Sequence, residues 1–130
     1  MAVGVLLLTH PGIGIALRAV VQKVIGNPTL PLEVLEVPFD APMDEFSLRA
    51  RGTLDRLDNG GGVLILTDLY GASPSNLGAR LEQTPVQVRR VSGLSLPMLL
   101  RVLNYPEQTL DALAATAVLG ARTGVVNGNA

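Results

Sequence analysis

Histidine occurs once in the sequence, at His10, between the apolar run Val3 to Leu8 and the turn Thr9 to Gly14. Imidazole is nucleophilic while neutral, and an ordinary imidazole is largely neutral near pH 7. A lone histidine also serves as a cap or a hydrogen-bonding residue, and residue type alone does not separate these roles. Position does. His10 sits at the carboxyl end of an expected strand, and Gly12 and Gly14 let backbone come close to a ligand. A helix is expected directly afterwards, so unpaired amides and the positive end of a dipole should lie beside the ring, an arrangement suited to phosphate.

A second polar stretch follows the apolar run Gly62 to Thr67, reading Asp68-Leu69-Tyr70-Gly71-Ala72-Ser73-Pro74. A carboxylate bonded to one imidazole nitrogen fixes the tautomer and the ring orientation, as it does for metal-bound histidines. Asp68 is the candidate partner of His10; the competing role for it is to cap a turn. Ser73-Pro74 is a helix-start signal, with serine at the N-cap and proline at the first helical position. Ser73, Thr9 and the backbone at Gly71 are candidate phosphate contacts, although capping and turn formation account for the same residues. Tyr70 is expected at the rim of the site.

Phosphoryl transfer depends mainly on positioning and on positive potential near the phosphoryl oxygens. Two helix starts and an oriented imidazole supply both. The sequence has no GxxxxGK[ST] and no GxGxxG after a strand, so a phosphorylated protein is a better expected donor than bound ATP. There is no cysteine, which excludes disulfides and thiolate metal sites. No cofactor and no metal are expected.

The elements that must hold these residues follow from apolar patterning. Val3 to Leu8 and Gly62 to Thr67 are continuous apolar runs, as in strands covered on both faces. Glu33 to Val37 and the more alternating Val86 to Val91 are two further strands. Helices are expected at Ile13 to Ile25, Met43 to Leu57, Pro74 to Leu81, Ser95 to Leu103 and Leu110 to Leu119. The glycine-rich last ten residues are expected to fray or to dock through Val125-Val126. This alternation predicts an α/β fold, an open doubly wound sheet of about four parallel strands flanked by helices. Ligands of such sheets gather at the strands' carboxyl ends, where the strand order reverses. If the first and third strands are neighbours, His10 and Asp68 meet there.

A chain of 130 residues, 48% of them hydrophobic and with net charge −1, fits one domain, residues 1–130. The charge is too balanced for nucleic acid to be a main partner, and two Phe, two Tyr and no Trp supply no stacking platform. Val3 to Leu8 lacks the basic flank of a signal peptide, and no apolar run is long enough to span a bilayer. The expected compartment is the cytoplasm.

At these residues the sequence resembles the enzyme IIA component of the mannose-type branch of the bacterial phosphoenolpyruvate-dependent sugar phosphotransferase system. The matching pieces are Thr9-His10 after an apolar strand, Gly62-Val-Leu-Ile-Leu-Thr-Asp68, Gly71-Ala-Ser-Pro-Ser-Asn76 and Ser92-Gly-Leu-Ser-Leu-Pro-Met-Leu99. The resemblance implies that His10 is phosphorylated, that Asp68 is its hydrogen-bond partner and that Ser73 lies at the phosphate site. It implies the histidine-containing phosphocarrier protein as donor and an enzyme IIB component as acceptor. It also implies a homodimer that exchanges a C-terminal antiparallel strand, for which the segment around Val125-Val126 is the candidate. Tyr70 stands where sugar-transporting members often carry Trp, and no linker toward a IIB domain is evident, which leaves the acceptor open.

Other readings compete. A receiver domain would need acidic residues after the first strand and a late lysine, whereas the only lysine is Lys23. A flavodoxin-like binder would need a Ser/Thr-rich phosphate loop and flanking aromatics. A hydrolase would need a nucleophile elbow, and Gly-x-Ser-x-Gly does not occur. A regulatory module that uses the same phosphorylation as a signal, and the phosphotransfer subunit of a dihydroxyacetone kinase, remain as alternatives.

Overall fold

Every side chain from Val5 to Leu8 and from Val63 to Leu66 is buried. Strands of that kind need a packed layer on each face, and parallel strands joined through helices provide both. A computed structural model, which describes residues 1–128, has this architecture. In chain order the elements are β1 (Gly4–Thr9), α1 (Ile13–Ile25), β2 (Leu32–Glu36), α2 (Met43–Leu57), β3 (Val63–Thr67), α3 (Ser73–Leu81), β4 (Val88–Ser92), α4 (Leu96–Leu103) and α5 (Leu110–Thr123). The four strands form one parallel sheet in the order β2-β1-β3-β4. The order reverses between β1 and β3, so their carboxyl ends border the crevice that the sequence pointed to.

Alternation along each strand divides the core in two. Val5, Leu7, Leu64, Leu66 and Val91 face a cluster completed by Val21 of α1, Met98 and Leu99 of α4, and Leu113 and Ala117 of α5. Leu6, Leu8, Val63, Ile65 and Val88 face the opposite cluster, with Phe46, Ala50 and Leu54 of α2 and Leu77 and Leu81 of α3. Among the described residues no helix is long and apolar enough to cross a membrane.

Most element boundaries fall within one or two residues of the expectations. Strand β4 begins at Val88 rather than Val86, and α5 continues to Thr123 instead of stopping at Leu119. Glycine at 120 disfavours continuing the helix by propensity, but a Cβ there would stand 2.7 Å from Arg101 Cβ. The bare glycine lets α5 lie close against α4, and that packing outweighs its poor helix propensity. Val125 and Val126 are exposed, so they do not dock on their own chain, and the sheet of the described residues has no fifth strand. Asn129 and Ala130, the end of the tail considered for exchange, lie outside the described residues.

The β1–α1 turn is tied by Thr9. Its side chain is fully buried, and its hydroxyl donates to the His10 carbonyl at 2.9 Å while accepting from the Gly14 amide at 2.9 Å. Glycine is required at 14, because a Cβ would come within 2.7 Å of Val34 Cγ1 and 2.9 Å of the same hydroxyl. Gly12 turns the chain into α1 with φ of 87°, a conformation that side chains disfavour. Thr9→Val keeps the shape but strands the buried Gly14 amide. It should cost about 1–3 kcal/mol in urea unfolding, with Thr9→Ser retaining most of the stability; equal midpoints for Thr9→Val and the parent chain would contradict this role.

Candidate functional site

The β1–β3 register pairs Leu8 with Thr67, so the next residues leave the sheet side by side. His10 and Asp68 meet there. Oδ2 of Asp68 lies 2.8 Å from Nδ1 of His10 and also accepts the His10 backbone amide at 3.1 Å. One carboxylate oxygen therefore grips both ends of the same residue, and the imidazole has little freedom to turn. Because the carboxylate accepts, Nδ1 carries the ring proton and Nε2 presents its lone pair. The side chains are 17% and 9% exposed, so the pair is sheltered while the ring still reaches the surface. The second oxygen of Asp68, Oδ1, is buried without a hydrogen-bond partner among the described residues.

The two helix starts differ. At α1, three consecutive amides expected to face an anion are already engaged. Ile13 donates to the His10 carbonyl, Gly14 to Thr9 Oγ1, and Ile15 to the Glu36 carboxylate at 3.1 Å. Glu36 stands at the end of β2 on the same side as Leu32 and Val34, so its carboxylate occupies the position where a bound anion would be favoured. At α3, the amides of Gly71, Ala72 and Ser73 find no acceptor among the described residues. Gly71 has φ of 82° and open space around its Cα. The anion-ready end of the crevice is therefore α3.

Each expected site residue has a definite place. His10 and Asp68 are joined as expected. Gly71 and Ser73 lie in the open turn at α3. Ser73 is not the N-cap: Ala72 is, its carbonyl accepting from the Asn76 amide at 2.9 Å, while Ser73 is the first helical residue and Pro74 the second. The Ser73 hydroxyl makes no capping bond and is left available. Thr9 differs from the phosphate contact expected of it. Its hydroxyl is buried and committed to the turn, and reaching a phosphate would break two hydrogen bonds.

Three neighbours had no assigned part in the sequence. Phe39, in the β2–α2 loop, sets its ring against the imidazole, with centroids 5.2 Å apart and planes tilted by 34°, yet the residue is 81% exposed. Glu36 caps α1, and the alternation Leu32, Val34, Glu36 was the signal for its orientation. Arg90, inside β4, reaches across to the first turn of α3, donating to the Ser75 carbonyl and hydroxyl. Two successive arginines in a strand had to point to opposite faces. Arg89 accordingly pairs with Asp111 of α5 on the other side, at 2.8 Å.

Comparisons with known proteins bear on the family and the fold. The family described as "PTS system fructose IIA component" (EIIA-man) matches residues 4–118. The mannose-specific EIIAB component of the phosphotransferase system of Escherichia coli K12 is 35% identical over 74 residues, which make up 55% of this chain and 23% of that protein. The match thus spans about a quarter of that relative's length. Among solved structures, the mannose/sorbose-specific IIA subunit from Enterococcus faecalis superposes with a TM-score of 0.87 at 23% identity, covering 98% of this chain and 95% of that one. The phosphotransferase component EIIA from Streptococcus agalactiae gives 0.84 at 17% identity, covering 98% of both. These two share the fold, and the family match rests on nearly the whole length of the sequence. The chain belongs to the mannose-type family of phosphotransferase-system IIA components.

Proposed function

We propose that the chain is a phosphocarrier that accepts a phosphoryl group on Nε2 of His10 from the phosphorylated histidine-containing carrier protein and passes it to an enzyme IIB component in sugar uptake. The observation that carries this reading is the 2.8 Å contact between Asp68 Oδ2 and Nδ1, which leaves Nε2 as the lone pair facing the crevice. In the first step the Nε2 pair attacks phosphorus, and the bond from phosphorus to the donor's nitrogen breaks with its electrons staying on that nitrogen. The proton on Nδ1 stays in place, held by Asp68, which balances the positive charge that develops on the ring. In the second step an acceptor nucleophile displaces Nε2, and the neutral imidazole returns.

The amides of Gly71, Ala72 and Ser73 and the Ser73 hydroxyl are the groups that would hold the phosphoryl oxygens. Such fixed dipoles stabilise developing charge without reorganising during the reaction. Glu36 and Asp68 supply negative charge nearby, so the α3 turn matters all the more. A protein donor suits the exposed apolar residues that flank the histidine, Ile13, Phe39, Leu69 and Tyr70, since clustered exposed apolar groups mark surfaces where proteins meet. The Escherichia coli relative carries A and B components in one name, which supports a IIB acceptor.

Incubation with phosphoenolpyruvate, enzyme I and the carrier protein, followed by mass analysis, tests the reading. One phosphoryl group should appear on His10, labile in acid and stable in base as a phosphoramidate is. His10→Gln should take none while keeping its fold, and retained labelling or an acid-stable adduct would refute the site. Asp68→Asn should still be labelled, but about 100-fold or more slowly, the scale of loss seen when a partner group of a catalytic or metal-bound histidine is altered. Transfer at the parent rate would remove Asp68 from the chemistry.

A further inference from the structure

Arg90 joins three parts of the molecule that the phosphoryl site depends on. It extends from β4, where it pairs in register with Ile65 of β3, and its side chain is 19% exposed. Its aliphatic stem lies along α3 at Gly78; a Cβ there would stand 3.0 Å from Arg90 Cδ. At one end Nε donates to the Glu82 carboxylate at 3.1 Å, at the close of α3. At the other, Nη1 donates to the Ser75 carbonyl at 2.7 Å and to the Ser75 hydroxyl at 2.9 Å. Ser75 is fully buried in the first turn of that helix. The guanidinium carbon also lies 5.8 Å from the centre of the Tyr70 ring, next to Gly71.

Two of Arg90's contacts fall on either side of the open amides, Tyr70 before Gly71–Ser73 and Ser75 after them. The α3 start makes no side-chain cap of its own, and Arg90 is the side chain that ties its first turn to β4. A second tie lies just beyond on the same strands, where the Thr67 and Ser92 hydroxyls bond at 2.7 Å. It steadies the residue before Asp68 but does not touch α3.

We propose that Arg90 is a positioning residue for phosphoryl transfer, holding the first turn of α3 through Ser75 and the loop through Tyr70 so that the Gly71–Ser73 amides stay aimed at the phosphoryl group on His10. This rests on the phosphocarrier reading above. Planarity and fork geometry are essential to the role, and lysine does not reproduce them.

Arg90→Gln, Arg90→Lys and Ser75→Ala test it. Single-turnover transfer from the phosphorylated carrier is followed over a range of carrier concentrations, with urea unfolding measured in parallel. Arg90→Gln and Arg90→Lys should each lower the maximal rate about 10- to 100-fold, the scale expected when a distant change displaces reacting groups by an ångström or less. The half-saturating carrier concentration should change much less than the maximal rate, because Arg90 reaches the docking surface only through Tyr70. Ser75→Ala, which keeps the carbonyl contact, should give a smaller loss of the same kind. Wild-type maximal rates in the folded variants, with only stability reduced, would overturn the proposal, as would full rescue by lysine or a loss confined to half-saturation. Should Arg90→Gln fail to fold, Ser75→Ala at the wild-type rate would overturn it alone. If the parent chain takes no phosphoryl group, the phosphocarrier reading falls and this inference with it; a labelled parent with indifferent variants removes only Arg90.

Discussion

One carboxylate oxygen holding both the backbone amide and the ring nitrogen of His10 is the constraint on which the site depends. A bond to Nδ1 alone would fix the tautomer and orient the ring but would not anchor the backbone that carries it. The second bond fixes the residue itself. This grip requires β1 and β3 to be hydrogen-bonded neighbours with their ends level, which the parallel register from Gly4–Val63 to Leu8–Thr67 provides. The register in turn rests on the leucines and isoleucine that fill both faces of those strands. A one-residue slip would exchange the two faces, and Asp68 would then no longer lie opposite His10.

The crevice has two helix starts, and they are differently engaged. At α1 the Ile13, Gly14 and Ile15 amides are taken by the His10 carbonyl, Thr9 and Glu36, which locks the turn that carries His10. The α3 start keeps its amides unpaired, an arrangement that costs stability unless solvent or a ligand satisfies them, while Arg90 fastens that helix to β4. On the proposed phosphocarrier reading, rigidity is thus built into the side that supplies the nucleophile, and vacancy into the side that receives the charge.

Much of this was legible in the sequence because the two central strands are apolar without interruption and end in unusual loops. Their adjacency was a condition of that reading, not a consequence of the rule that ligands gather where the strand order reverses, and the sheet order meets it. The family resemblance added the partners, which no periodicity conveys. What the sequence concealed was the destination of local polar groups. Thr9 reads equally as a phosphate ligand or a turn former, and the choice depends on how closely Gly14 approaches, a matter of packing against Val34. Ser73 reads as a cap from the Ser-Pro pair, but the turn at Gly71 lets the helix begin one residue earlier, with Ala72 as the cap. Arg90 sits eight residues from one partner and fifteen from another, a pairing that only the crossing of α3 over β4 creates.

A residue that relays phosphate between proteins faces opposed demands: access for a partner, and protection of the P–N bond from water. The surroundings of His10 divide these between its sides. Asp68 and the committed turn close the Nδ1 side, and the sheet ends beneath. Phe39 lies against the ring while presenting most of its own surface outward. An exposed phenyl group there gains little for the isolated chain, because burial is what makes an apolar side chain stabilising. Against a docked protein the same ring becomes buried and water is displaced from the face of the imidazole. On the proposed reading, the cost of leaving Phe39 exposed would be recovered when a donor or acceptor is seated, tying the dryness of the site to the presence of a partner able to take or give the phosphoryl group.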